Sequence, residues 1–278
     1  MVNTKDLETT VALTLATAYI KGETPQSTMI VSDRPEAGKS VLVNQFSKVD
    51  GIVVLNDSTW QGLIQRYKTE LVEGKIKHII MPEFLAPISR NQTTVGSFLA
   101  NIQQLIEDGY QQSHTGFLHV DLKEPVVVGV IACLPKPAFY LNRTRWMQGG
   151  LLSRFLVVSY DYNSNTIDAI FESIMERQYL EATGITVNFK EVVDVKLPHS
   201  IASQCKALAL DTTERSRNSK GLYGFRQLES VQRLVMANVV LDKAQGADRE
   251  PTATQADFDK VEAISYLFNE QFNELRGE

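Results

Sequence analysis

Ser27-Thr28-Met29-Ile30-Val31-Ser32-Asp33-Arg34-Pro35-Glu36-Ala37-Gly38-Lys39-Ser40 decides how the rest of the chain is read. Ser27 to Val31 is an apolar run of strand length, and a polar loop ends it in Gly38-Lys39-Ser40 ahead of a helix expected over Val41 to Phe46. A strand, a loop and a helix in that order suit a phosphate. Backbone N–H groups curl round its oxygens, the helix N-terminus faces the anion, a lysine meets the outer oxygens and a hydroxyl meets Mg²⁺. Gly38, Lys39 and Ser40 fill those roles, with Pro35, Glu36, Ala37 and Val41 completing the candidate loop. The usual glycines of such a loop would fall on Asp33 and Glu36. A carboxylate at Glu36 weakens anion binding unless it points outward. The alternative is a surface turn that carries Gly-Lys-Ser without a ligand.

Outward from this stretch, strands and helices alternate. Apolar positions at helical spacing (Leu7, Val11, Leu15, Ala18) predict a helix over 6–21, broken by Gly22 and Pro25. A second strand over Gly51–Leu55 precedes a helix from Ser58 to Val72, with Asp57 or Ser58 as N-cap. A third strand, Ile76–Met81, leads to a helix over Thr94–Glu107 that Gly109 ends. Gly116–Val120 and Val126–Ala132 read as strands joined by Lys123-Glu124-Pro125, the second apolar on both faces like a central parallel strand. Leu151–Tyr160 supplies a short helix and a fifth strand. The fold class expected is α/β, a doubly wound, mostly parallel five-stranded sheet. After Asp161 the pattern turns helical: Ile167–Ala182, Pro198 to about Leu210, Phe225–Lys243 and Gln255–Leu275. Val192–Leu197 is a short extended piece and Thr212–Lys220 a polar connector. Residues 1–162 thus read as a nucleotide-binding core and 163–278 as a helical lid.

Composition narrows the function classes. Of 278 residues, 43% are hydrophobic and 22% charged, the mix of a globular protein with an ample core. A net charge of −5 excludes holding DNA by general electrostatics in a lone subunit, so any such contact needs a few local cations, concentrated by assembly. Cys133 and Cys205 lie in apolar contexts, as reduced core thiols do. No apolar run approaches the ~20 residues of a membrane span, and the N-terminus lacks a secretory signal pattern. The expectation is a soluble cytoplasmic protein with no membrane partner.

Three further stretches stand in order behind the loop. Gly150-Leu151-Leu152-Ser153-Arg154-Phe155 runs into Leu156-Val157-Val158. Phe225-Arg226-Gln227-Leu228-Glu229-Ser230 precedes Arg233-Leu234 and an alanine-bearing turn, Met236-Ala237-Asn238. Thr252-Ala253-Thr254-Gln255-Ala256-Asp257-Phe258 starts a helix with Thr254 as N-cap. Taken with Gly-Lys-Ser, this series resembles the ring-forming AAA+ ATPases, and most of all the minichromosome-maintenance (MCM) helicases, over most of residues 25–270. Pro35 matches the proline of the AAA+ form of the loop.

The resemblance implies ATP and Mg²⁺ as ligands. Glu83, in Ile79-Ile80-Met81-Pro82-Glu83-Phe84, would be the strand-end acid, with Pro82 where an Asp is normal. It serves as water-orienting base, as metal partner beside Ser40, or only as a helix cap; Asp57 is a candidate second carboxylate. The polar sensor expected after the next strand is missing at Cys133 and Leu134. Lys136 and Asn142 are substitutes, unless the strand simply runs into a loop. Arg154 would be an arginine finger supplied across a subunit boundary, with Arg143 and Arg145 as competitors, and Arg226 a second sensor arginine that reports lid closure. The bland alternatives are solvated or salt-bridged arginines. A hairpin over 116–125 would present Lys123, with His119, to DNA, or be an ordinary hairpin. The helix insertion of the MCM branch has no room in residues 58–73, and its N-terminal DNA-binding domains have no counterpart, which suggests a stripped-down core of viral or mobile-element kind.

Two functions compete. One is an oligomeric, hexamer-like ring ATPase acting on DNA in replication as a helicase-like motor or loader. The other is a nucleotide-switched or hydrolysis-deficient scaffold that recruits a partner protein. A phosphate-loop small-molecule kinase fits the helical lid less well.

Overall fold

The computed structural model describes residues 4–114, 119–178, 187–215 and 223–276. Its centre is a five-stranded sheet in which β1 (Thr28–Ser32), β2 (Ile52–Val54), β3 (His78–Met81), β6 (Gly129–Pro135) and β7 (Leu156–Tyr160) take the order β2-β3-β6-β1-β7. Every pairing is parallel. β1 is buried along its whole length, as a strand covered on both faces must be. Its side chains divide by the strand's period of two. Met29 and Val31 join a core with Trp60, Leu63, Phe98 and Ile102 on one face, and Ile30 joins Leu42, Phe46, Ile131 and Val158 on the other.

The first core is closed by α3 (Trp60–Val72) and α5 (Gln92–Ile106). The second contains α2 (Lys39–Asn44) and continues into a helical C-terminal region. That region comprises α7 (Ser164–Met175), α8 (His199–Arg215), α9 (Phe225–Ala244) and α10 (Gln255–Ile264). In α9, Val231 and the run Leu234–Leu241 are buried, and α1 (Lys5–Ala16), α8 and α10 pack around it. The end of the chain returns to the sheet: the Phe272 N–H donates to Ser159 Oγ at 3.0 Å, and Asp161 N–H to Asn273 O at 3.0 Å.

Several boundaries differ from the expected ones for identifiable reasons. Thr59, rather than Asp57 or Ser58, caps α3, accepting from the Gly62 N–H at 3.0 Å. A short helix, α4 (Leu85–Ile88), follows β3. The segment past β6 is not a loop but α6 (Lys136–Gln148), with Pro137 in its first turn, where a missing N–H costs no bond. The hairpin is β4 (Tyr110–His114) against β5 (His119–Val126), antiparallel. Lys123-Glu124-Pro125 therefore lies inside a strand rather than joining two. β5 pairs with β4 alone, so Pro125 is tolerated on an edge. The next strand starts at Gly129 rather than Val126. α8 runs on past Leu210, because the Thr213 hydroxyl bonds back to Ala209 O at 2.7 Å instead of breaking the helix. The rest of the expected connector, 216–220, and the end of the expected helix at 179–182 lie outside the described residues. α10 stops at Ile264, and the residues expected to extend it form the returning tail.

Candidate functional site

The phosphate loop leaves β1 at Ser32 and enters α2 at Lys39. Gly38 has φ +69°, the left-handed region open to glycine, and Glu36 has φ +64°. Glu36 thus keeps a glycine's conformation without being one, at a cost of roughly 1–2 kcal/mol, and it is exposed. Tyr160 and Tyr162 both donate to Ala37 O, the latter at 2.8 Å, and pin the loop to the end of β7. Sequence reasoning missed these two tyrosines. Their signal was a tyrosine at the end of a buried strand, whose hydroxyl needs a partner.

A cavity of about 360 Å³ opens over the loop, lined by residues 35–41 with Pro82, Glu83, Leu85, Cys133 and Pro135. Lys39 is half-buried beside it. Its ammonium donates to Ser32 Oγ at 2.7 Å, and Ser32 Oγ donates on to Arg34 O at 2.7 Å. Burial lowers the Lys39 pKa, while Cys133 and Glu83 pull it the other way. Among the described residues Lys39 forms no salt bridge. A partly desolvated cation held by a neutral hydroxyl is short of an anion.

Ser40 Oγ donates to Glu83 Oε1 at 2.9 Å, just beyond the end of β3. The described residues contain no group of three or more His, Cys, Asp or Glu able to cage a metal. Mg²⁺ needs no such cage, because it binds through one or two carboxylates with phosphate oxygens and water, so the Ser40–Glu83 pair fits it. Asp57 is elsewhere engaged, by Arg90 at 2.7 Å, and does not line the cavity.

At the expected sensor position Cys133 is buried, and burial pushes its thiol up to about 12, so it stays protonated. Asn142 donates to Ala138 O at 3.0 Å within α6. Lys136 does reach the loop, in an ion pair with Asp33. Arg143 does not compete for the finger role. It is buried against Glu270, with its Nη2 donating to Oε1 at 3.1 Å, and ties α6 to the returning tail.

Arg154 and Arg226 sit together, away from the loop. In the parallel register Leu156 pairs with Thr28, the first residue of β1, so Arg154 precedes the N-terminal edge of the sheet. The loop follows Ser32 at the opposite edge, roughly 13 Å along the strand. Arg154 forms an ion pair with Glu107 and donates from Nη1 to Gly150 O at 2.8 Å. Gly150 suits that position: its φ is +75°, which a side chain would strain, and a Cβ would lie 2.8 Å from the guanidinium nitrogen and push it aside. Arg226 Nη1 donates to Ser153 Oγ at 2.6 Å, and its Nη2 pairs with the same Glu107. The structure thus brings the two arginines to one acid and brings neither to the loop cavity of its own chain. Glu107 carried no signal beyond a helix end. A cavity of about 570 Å³ beside the cluster is flanked by Tyr223 and Phe225, exposed and stacked at 5.5 Å.

Lys123 is exposed on β5 and borders a separate groove of about 750 Å³ with Lys68 and Lys77. His119 begins β5, and its side chain lies outside the described residues. Among the described residues no helix is long and apolar enough to cross a membrane.

No family model matches the sequence, and no curated protein does. Among solved structures, a full-length MCM homolog from Methanopyrus kandleri is similar, with a TM-score of 0.50 over 95% of this chain at 12% identity. The match takes in 55% of that protein, so the chain spans about half its length. Likeness at this identity is one of fold alone, and the fold here is a parallel α/β sheet followed by a helical region.

Proposed function

We propose that this chain is an ATP-binding AAA+ ATPase subunit of MCM-like type that assembles into a ring and acts on DNA in replication, as a helicase-like motor or loader. The observation that carries the reading is the split site: Lys39, Ser40 and Glu83 at one edge of the sheet, Arg154 and Arg226 at the other. Arginines so placed can meet a phosphate only when it is bound by another copy. Residues 1–162 act as the nucleotide core and 163–278 as the lid.

In this reading the loop N–H groups and Lys39 hold the outer phosphates. Ser40 and Glu83 would hold Mg²⁺, which would supply charge neutralisation at the phosphates. Glu83 also orients the attacking water. Arg154, with Arg226 beside it, stabilises charge on the transferring phosphoryl group of the neighbour. Lys123, with His119, meets DNA from the hairpin. With a net charge of −5, that contact depends on repeating a few cations around the ring.

A second reading, a nucleotide-switched scaffold that recruits a replication partner, is favoured by Pro82 and Cys133, which leave one acid and no polar sensor at the strand ends. Light scattering with and without ATP and single-stranded DNA, run beside phosphate release, separates the two. Assembly with turnover supports the motor, assembly without turnover the scaffold, and a monomer under all conditions removes the split site from consideration.

A further inference from the structure

We propose that α7 of one copy docks into the lysine-rimmed groove of a second copy, as an amphipathic helix laid in an apolar trough. The inference goes beyond the nucleotide reading above and requires no nucleotide. In α7, Ile167, Ile170, Phe171 and Ile174 recur at the i, i+3, i+4, i+7 spacing that sets side chains on one face, with Met175 beside them. A surface helix ordinarily turns such a stripe to the core, yet Thr166 is the one buried residue of α7. Phe171, Ile174 and Met175 are exposed by 61%, 51% and 66%. Asp168 and Glu172, one helical turn apart, run along the flank of the stripe, and α7 holds no basic residue. Neither acid forms an ion pair among the described residues.

The groove of about 750 Å³ has the complementary character. Buried Leu71, Ile76 and Leu122 line it, and Val72 beside them is 54% exposed. Lys68, Lys77 and Lys123 stand along it, and the lysine ion pairs of the described residues belong to Lys21, Lys75 and Lys136 instead. Of its two acids, Glu23 is held by Arg233 at 3.1 Å, which leaves Glu124 against three lysines. Apolar lining and a free carboxylate suit a phosphate backbone poorly. They suit recognition of a helix, whose apolar anchors fill the trough while the charges at the rim fix its register. Helix and groove lie at opposite edges of the parallel sheet. α7 follows the end of β7, its Asn163 cap accepting from the Thr166 N–H at 2.8 Å. Ile76 and Lys77 lead into the start of β3, and Val127, also in the groove, into that of β6. The two therefore meet between copies, head to tail, in a contact that builds rings or filaments.

Light scattering and sedimentation of the full chain without nucleotide test this. Wild type should associate with a Kd below about 100 μM, and added salt should weaken the association by screening the rim charges. Phe171→Ser combined with Ile174→Ser should weaken it by at least about tenfold, while thermal melts stay near wild type because both residues are exposed. Chains carrying Asp168→Lys and Glu172→Lys, and chains carrying Lys68→Glu and Lys77→Glu, should each be monomeric alone. Their mixture should associate again, because every helix then meets a groove of opposite charge. A wild type monomeric at that concentration, folded variants that associate as wild type does, or a mixture that stays monomeric overturns the docking. Loss of single-stranded DNA binding in the Lys68→Glu and Lys77→Glu chain, with self-association unchanged, gives the groove to nucleic acid and overturns it as well. Association that persists in a chain shown by titration to bind no nucleotide leaves the docking standing and removes the nucleotide reading alone.

Discussion

The two edges of the parallel sheet carry opposite imbalances. At the C-terminal edge a half-buried lysine, Lys39, rests on a hydroxyl and forms no ion pair among the described residues. At the N-terminal edge two arginines, Arg154 and Arg226, share the single carboxylate of Glu107. One edge is an anion site short of an anion. The other is a pair of cations held by a partial counter-charge. In the proposed reading the difference means that neither edge is complete within one chain, and that successive copies would match them.

The largest effect should come from the loop side. Lys39→Ala removes the one cation that lines the cavity among the described residues; it should weaken ATP binding by at least about 100-fold, the weight of a charge-assisted contact to phosphate, and abolish turnover altogether. Circular dichroism and melting should stay near wild type, since the residue lies at the mouth of a loop. Unchanged affinity in titration would remove the anion site from one half of the comparison.

Next in size is Arg154→Ala. Nucleotide affinity of the isolated chain should hold within about twofold, while turnover of the assembled protein should fall by roughly 10³ if the arginine acts on a neighbour's phosphate. Mixing Arg154→Ala with Lys39→Ala chains sharpens the test. A mixed boundary pairs an intact loop with an intact arginine, so phosphate release should partly return. A mixture shown to co-assemble yet inactive would confine Arg154 to holding Glu107.

Glu107→Gln addresses the arginine edge directly. It leaves two guanidinium groups side by side with no counter-charge, so the isolated chain should lose about 1–2 kcal/mol, a modest sum because the groups are partly exposed. Triphosphate-dependent assembly should rise, since the cations are then released to a partner. Denaturant melts and light scattering read the two effects separately. Full stability with unchanged assembly would mean that the shared acid contributes nothing.

How much of this was legible beforehand depends on how local the signal was. β1 and its loop are a five-residue buried strand with an apolar Met-Ile-Val centre followed by Gly-Lys-Ser, and strand, turn and helix start all lie within one short window. α6 was invisible because its apolar residues follow no helical period and Pro137 reads as a break, although a first-turn proline favours a helix. In the hairpin, Lys123-Glu124-Pro125 reads in sequence as a connector although an edge strand tolerates the proline, and moving a strand's start reassigns every residue after it. Glu107 could not have been found by pattern. Its two partners are 47 and 119 residues away in the chain, and an acid at a helix end looks the same whether or not it meets them. The same holds for the tyrosines that pin Ala37, 123 and 125 residues distant.

The smallest effect tests how far the loop has been detuned from an ideal anion site. Glu36 adopts φ +64° where the usual loop has glycine, and it is exposed at the rim of the cavity it helps to line. Glu36→Gly should relieve the left-handed strain, worth roughly 1–2 kcal/mol, but it also frees the unfolded chain, which returns about 0.5–1 kcal/mol. The net gain in stability should therefore be no more than about 1.5 kcal/mol. Nucleotide affinity should rise by only about two- to fivefold, because a solvent-facing charge is screened. Raising the salt should shrink that gain, whereas strain relief is indifferent to salt, so titrations at two ionic strengths divide the two causes. A gain above about tenfold that survives high salt would mean the carboxylate reaches into the cavity when nucleotide is present, and the loop edge would then carry an acid of its own, as the arginine edge does.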